Sequence, residues 1–234
     1  MNHLLKVLSK AVFTNRCALC GEVIELDDYL CNDCANAPRI TEPICESCGC
    51  NTDDCHCKKN KNEYKKIVAP FYYCDTLVPA IHRFKESDMP FIAEYMGKEM
   101  AKSVKKYYSD IEFDYITYVP MNEFKKKYKG YNQAELLANE ISKCLKIETE
   151  EFIYKSHYTK ELHKSKTGTK RSAIVYGTFD IYEDYKNELK DKIILLVDDV
   201  KTTGATLNEC AKMLNIYGAK AVYCVSCAVT KKIK

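Results

Sequence analysis

The chain has 234 residues, 46% of them apolar and 29% charged, with a formal net charge of +3. That length can bury a full core and suits one large unit with one small one. No apolar run approaches the ~18–20 residues of a membrane helix, and so small a net charge excludes a global basic field for nucleic acid.

The N-terminus carries Leu4, Leu5, Val7, Leu8, Ala11 and Val12, interrupted by Lys6 and Lys10. This reads as an amphipathic helix rather than a signal peptide, and predicts a cytoplasmic protein. Nine of the 14 cysteines then fall between residues 17 and 57. In a cytosolic chain such clustering points to zinc, not to disulfides. Two thiolates in Cys-x-x-Cys reach one tetrahedral ion. The simplest partition gives one site of Cys17, Cys20, Cys31 and Cys34 and a second of Cys45, Cys48, Cys55 and Cys57. Cys50 and His56 are left over, and either could substitute in the second site. Both sites read as closed and structural. Each ion could supply on the order of 10 kcal/mol of apparent folding free energy to a segment too short to fold by apolar burial.

The polar run Lys58 to Glu63 reads as a linker. It divides an N-terminal helix and double ribbon, 1–62, from a larger domain, 63–234. In that domain Ile67 to Tyr73 reads as a strand. Helices are expected over 77–85 and 90–107 from their apolar spacing. Tyr115 to Pro120 reads as a second strand, leading into a basic loop with Lys125, Lys126, Lys127 and Lys129, and then into a helix from Asn132 to Leu145. Residues 156–176 are polar and irregular, with Lys164, Lys166, Lys170 and Arg171 around Gly168; a lid or a plain connection fits equally well. Tyr176 to Tyr182 reads as a strand or hairpin arm, and Lys220 to Val229 as a last buried strand. Cys224 and Cys227 fall within that strand on opposite faces, as core thiols.

The chemistry concentrates at 193–207. Ile193 to Val197 are five large aliphatics, the mark of a strand buried on both faces. Asp198 and Asp199 follow at its end. Then come Lys201, Thr202, Thr203, Gly204, Ala205 and Thr206, and a helix from Leu207 to Leu214. A turn entering a helix offers unpaired amides to an anion. Gly204 permits close backbone approach, and the threonines add hydroxyl donors. Paired acids at that place can accept from sugar hydroxyls or hold magnesium. The spacing is not that of a Walker loop.

The run from Leu195 to Leu207 resembles the 5-phosphoribosyl-1-pyrophosphate (PRPP) loop of type I phosphoribosyltransferases. The whole chain resembles the ComF family of competence proteins, a double zinc ribbon joined to a phosphoribosyltransferase-like domain. The marks are the ordered cysteines, Phe84-Lys85, Val119-Pro120, Gly130-Tyr131-Asn132-Gln133-Ala134-Glu135-Leu136-Leu137, the run from Arg171 to Phe179, and the 193–207 loop. Ile174 and the lysines of 121–130 depart from the family's usual asparagine and arginines. The resemblance implies an α/β fold: a doubly wound, mostly parallel sheet of type I phosphoribosyltransferase kind, with a small N-terminal zinc-ribbon domain. It implies that Asp198 and Asp199 take the ribose hydroxyls and act in any catalysis. Lys201, Thr202, Thr203, Gly204, Ala205 and Thr206 would hold the 5-phosphate. Pro120, Met121 and Asn122 would meet pyrophosphate with bridging magnesium, and Arg171 would belong to the same site. It further implies a role in taking up single-stranded DNA with a helicase or other DNA-processing partner. For that role Lys125, Lys126, Lys127 and Lys129 could track phosphates, with Tyr128 and Tyr131 stacking bases. An active transferase acting on a nucleobase, and a non-catalytic ribbon scaffold, are the alternatives.

Overall fold

The fold was read from a computed structural model, which describes residues 15–25, 28–57, 62–74, 76–86, 91–156 and 178–231. The expected N-terminal helix, most of the linker, the 156–176 segment beyond Ser156, and Arg171 lie outside the described residues.

Two short antiparallel strands, β1 (Asn15–Arg16) and β2 (Val23–Ile24), and a one-turn helix, α1 (Asn32–Ala35), frame the first cysteine group. The larger domain begins with β3 (Ile67–Val68) and β4 (Phe71–Tyr72). One continuous strand was expected here. Pro70 breaks it, because it has no amide to give the ladder, and its carbonyl instead accepts from the amide of Ile40 at 3.0 Å.

Helices α2 (Leu77–Glu86) and α3 (Phe91–Tyr107) follow, then β5 (Tyr115–Tyr118). The run expected as a basic loop is a short helix, α4 (Glu123–Lys129), and α5 (Gln133–Leu145) comes after it. The hairpin β6 (Ile153–Lys155) and β7 (Phe179–Ile181) precedes the long central strand β8 (Ile193–Lys201), helix α6 (Ala205–Ile216) and β9 (Ala221–Val229).

The main sheet is parallel throughout, in the order β3–β9–β8–β5, with β4 also pairing to β9. Strand β8 is buried on both faces, as its aliphatic run predicts. Leu195 and Val197 face a core built with α2, α3 and α5. Ile194 and Leu196 face a second core built with α6 and the β6–β7 hairpin. Cys227 lies in the first core and Cys224 in the second, on opposite faces of β9. Helices α3 and α5 come very close at Gly97: a Cβ there would meet Cβ of Glu140 at 2.4 Å.

The ribbon is docked on this domain. Ala18, Leu19 and Ala37 enter the core beneath α2 and α3, while Ile40, Cys48 and Cys50 pack on Ala69, Tyr72 and Val229 at the edge of the sheet. Arg39 pairs with the buried Glu99 on α3. Among the described residues no helix is long and apolar enough to cross a membrane.

Candidate functional site

The cysteine clusters form as the spacing predicts. The Sγ atoms of Cys17, Cys20, Cys31 and Cys34 lie within 4.8 Å of one another, and so do those of Cys45, Cys48, Cys55 and Cys57. In the second group Cys45–Cys57 and Cys48–Cys55 are both 3.6 Å apart, and the Cys-x-Cys pair Cys55–Cys57 is 3.2 Å apart. Four thiols converging at such distances fit a tetrahedral zinc with no open position. Of the two residues left over in the sequence, neither joins the cluster. Cys50 is buried, with Sγ 3.9 Å from the Thr230 carbonyl, and His56 lines a neighbouring cavity.

Strand β8 does not stop at its aliphatic run. It carries both acids and Lys201 within the sheet, with Asp198 opposite Ser226 and Lys201 opposite Val229 on β9. The turn is therefore Thr202–Gly204, later than the hydrophobicity suggests. Gly204 caps α6 at φ 82°, and the Ala205 amide donates to Oγ1 of Thr203 at 3.3 Å. The amides of Thr202, Thr203 and Gly204 have no hydrogen-bond partner among the described residues.

The acids line a cavity of about 500 Å³. Facing them across it are Pro120, Met121 and Asn122, the residues after β5. The register explains the meeting: Tyr118 pairs with Val197, and the Val119 amide donates to the Val197 carbonyl at 2.9 Å. Both strands thus open on the same crevice beyond their carboxyl ends. Asp198 accepts the Asp199 amide through Oδ1 at 2.8 Å. Burial first, and the Asp199 charge second, raise the Asp198 carboxyl well above its ordinary range. Asp199 is engaged by the ammonium of Lys85, 2.8 Å from Oδ2.

The expected site is divided. The acids and the 120–122 turn share this cavity, whereas Thr202 and Thr203 line a second, smaller one of about 220 Å³. Its other walls include Lys201 and the ribbon residues Ser47, Cys48, His56 and Cys57. The back of the turn and the second cysteine group therefore face one cavity, which nothing in the spacing announced.

The four lysines of α4 do not act as one patch. Asn122 caps the helix by accepting from the amides of Phe124 and Lys125 at 3.1 and 3.4 Å, so this side chain is committed to the fold. Lys125 lines the main cavity. Lys126 turns to Glu135 at 2.8 Å and Glu151 at 3.8 Å. Lys127 is exposed, and Lys129 sits 5.1 Å over the ring of Tyr131. Tyr131 is not a free stacking surface: its ring stacks on Phe84 and its hydroxyl donates to the Phe84 carbonyl at 2.9 Å. Phe124 and Tyr128 are the exposed aromatics of this helix, at 69% and 97%.

The cavity also takes in Asn132, Gln133 and Lys155, and Lys85 reaches its edge through Asp199. These were not expected as site residues, although Phe84-Lys85 and the 130–137 run stood out as motifs. The Asn132 amide group donates to the Val119 carbonyl at 3.0 Å and its oxygen caps α5. The motif thus fixes the wall of the cavity from behind.

Comparison with known proteins places these parts. A double zinc ribbon domain model matches residues 8–66, and a phosphoribosyl transferase domain model matches residues 132–232. Competence protein F of Haemophilus influenzae is 28% identical over 90% of this chain and 95% of its own length. The DNA utilization protein YhgH of Escherichia coli is 25% identical over 88% and 93%, and the competence protein ComFC of Bacillus subtilis 25% over 82% and 80%. With both domains matched in this order, the chain carries a double zinc ribbon domain followed by a phosphoribosyl transferase domain, and it is similar along most of its length to these competence and DNA utilization proteins.

Proposed function

We propose that the chain binds PRPP with magnesium at the carboxyl end of β8, and that it serves competence in the cytoplasm by handling incoming single-stranded DNA. The observation that carries the first part is the meeting of Asp198 and Asp199 with the 120–122 turn across one cavity, with a following turn whose Thr202, Thr203 and Gly204 amides have no partner among the described residues. The acids accept from the ribose hydroxyls. Lys201 and the turn from Thr202 to Thr206 take the 5-phosphate through amides and hydroxyls. The backbone of Pro120, Met121 and Asn122, with Lys125, takes the pyrophosphate, and Arg171 completes the site by resemblance. Asp198 and Asp199 would hold the magnesium, whose charge would offset that of the phosphates.

The competence role rests on the relatives' names, and DNA contact on the exposed Phe124, Tyr128, Lys125 and Lys127 of α4. A helicase or another DNA-processing protein is the partner expected in that role. In an active transferase the same acids would stabilise positive charge developing on the ribose carbon. Release of pyrophosphate with a panel of nucleobases separates that activity from binding alone.

The deciding experiment is calorimetry of PRPP with magnesium on the zinc-loaded chain. Replacing Asp198→Asn and Asp199→Asn together should weaken binding at least tenfold, since each charge-assisted hydrogen bond contributes about 1.5–3 kcal/mol. Unchanged affinity in the double variant would remove the site.

A further inference from the structure

Lys85 reaches the twin acids from another part of the chain. It sits in the last turn of α2, where the helix dipole favours a cation. Its ammonium is 2.8 Å from Oδ2 of Asp199, the side chains being 41% and 16% exposed. Burial alone would lower the lysine pKa, but the Asp199 carboxylate outweighs it and the pKa ends raised. The remaining Asp199 oxygen, Oδ1, accepts the Val200 amide at 2.6 Å. Both oxygens of Asp199 are therefore engaged.

The placement is enforced. Phe84, fully buried, precedes Lys85 in the chain. Its carbonyl accepts two hydrogen bonds from the opposite side of the cavity, from the Tyr131 hydroxyl at 2.9 Å and the Gln133 amide group at 3.1 Å. Tyr131 also stacks on the Phe84 ring, with centroids 6.4 Å apart. Two separate sequence motifs, Phe84-Lys85 and Tyr131-Asn132-Gln133, thus cooperate to set one ammonium against one carboxylate.

We propose that Lys85 is a built-in counter-cation of the twin acids, standing at Asp199 where a divalent ion would otherwise be needed, and that it sets how much magnesium the site requires. This rests on the reading of the cavity as a PRPP site and adds a residue that determines its metal dependence. In the unliganded protein the Lys85 ammonium occupies Oδ2 of Asp199 and keeps a free divalent ion off it. When a diphosphate ligand enters, the same ammonium lies beside the acids to offset its charge, with Lys125 and Lys155 along the wall. A Met at this position keeps most of the stem and removes only the charge.

Two measurements on the full, zinc-loaded chain test this. The first uses manganese alone, followed by its electron paramagnetic resonance signal. Lys85→Met should bind manganese at least tenfold more tightly than the unaltered chain, and adding Asp198→Asn with Asp199→Asn should abolish the gain. The second is PRPP calorimetry in magnesium-free buffer without chelator, which would strip zinc. The unaltered chain should keep an affinity within tenfold of its magnesium value. Lys85→Met should lose tenfold or more there, recover as magnesium is raised, and be rescued by Lys85→Arg. Identical magnesium dependence in Lys85→Met and the unaltered chain, or no gain in manganese affinity, overturns the proposal. If PRPP fails to bind even with magnesium, the ligand reading falls, and the manganese measurement still decides the role of Lys85. Should Lys85→Met lose its zinc or fold poorly, Lys85→Gln serves in both arms.

Discussion

Gly204 holds φ at 82°, and a Cβ there would stand 3.1 Å from Cε of Lys201 and 3.5 Å from the Tyr64 hydroxyl. The nearer neighbour is the stem of a lysine, which can yield, so most of the cost of a side chain lies in the backbone. Gly204→Ala should lose about 1–2 kcal/mol of stability, the usual cost of forcing an alanine into the left-handed region. The shift of the urea midpoint measures it. Gly204→Asn should recover most of the loss, because asparagine tolerates that region. If alanine and asparagine destabilise equally, contact with Lys201 dominates and backbone strain does not. The turn's need for glycine could be foreseen, since threonines and a glycine between a strand and a helix leave few other conformations. That Lys201 would lie buried beneath it could not. The hydrophobic run ends at Val197, and nothing in it says that β8 continues for four more residues to Lys201.

Helix α4 shows how an element with no apolar stripe escapes pattern reading. Glu123 to Lys129 has no face that enters the core, and none of its residues is buried. Its ends were nevertheless written in the sequence, with Asn122 capping one and Gly130, at φ 84°, closing the other. Folding the run into a helix sorts its lysines. Lys126 is already neutralised by Glu135 and Glu151, while Lys125 and Lys127 are exposed and have no carboxylate partner among the described residues. The double variant Lys125→Ala with Lys127→Ala should therefore flatten the salt dependence of single-stranded DNA affinity by about one to two units of log–log slope, each released counterion counting ~0.7. Lys126→Ala should leave the slope unchanged. Phe124→Ala with Tyr128→Ala should weaken affinity by about 1–3 kcal/mol per stacked base without altering the slope. Fluorescence anisotropy with labelled oligothymidine between 50 and 200 mM salt would read all three. Equal slopes in every variant would exclude this helix as the DNA-contacting element. The elements that could be read in advance were those with a strong period or fixed ligand spacing: β8, α3, α5 and the cysteine groups. What could not be read was pairing across distance. Lys85 and Asp199 are joined only because Tyr131 and Gln133 anchor the end of α2, and no local pattern encodes that.

The ribbon and the transferase domain are joined by a charged knot as well as by apolar contact. Glu99 on α3, its side chain only 6% exposed, accepts from Lys102 at 2.6 Å and pairs with Arg39 of the ribbon segment. Burial by itself would raise its pKa. The hydrogen bonds from Lys102 and Arg39, with their charges, outweigh burial and hold it below the ordinary value of 4.5. Glu99→Gln would leave the Arg39 guanidinium beside a neutral amide at the junction. The partners are partly in water, Arg39 at 46% and Lys102 at 73%, so the loss should be modest, about 1–2 kcal/mol. The sign of the pH effect follows from the depressed pKa. The carboxylate's contribution is fully present above pH 4.5 and disappears as pH falls through the lower folded value. Urea unfolding of the zinc-loaded chain should show a constant gap between the parent and Glu99→Gln from pH 7 down to about 5, closing below that. Glu183→Gln is the control away from the junction: Glu183 and its partner Lys186 are 84% and 30% exposed, and exposed pairs of this kind are worth at most about 1 kcal/mol. A gap that persisted undiminished to pH 3 would mean that Glu99 holds the two domains together by shape and packing, with its charge immaterial.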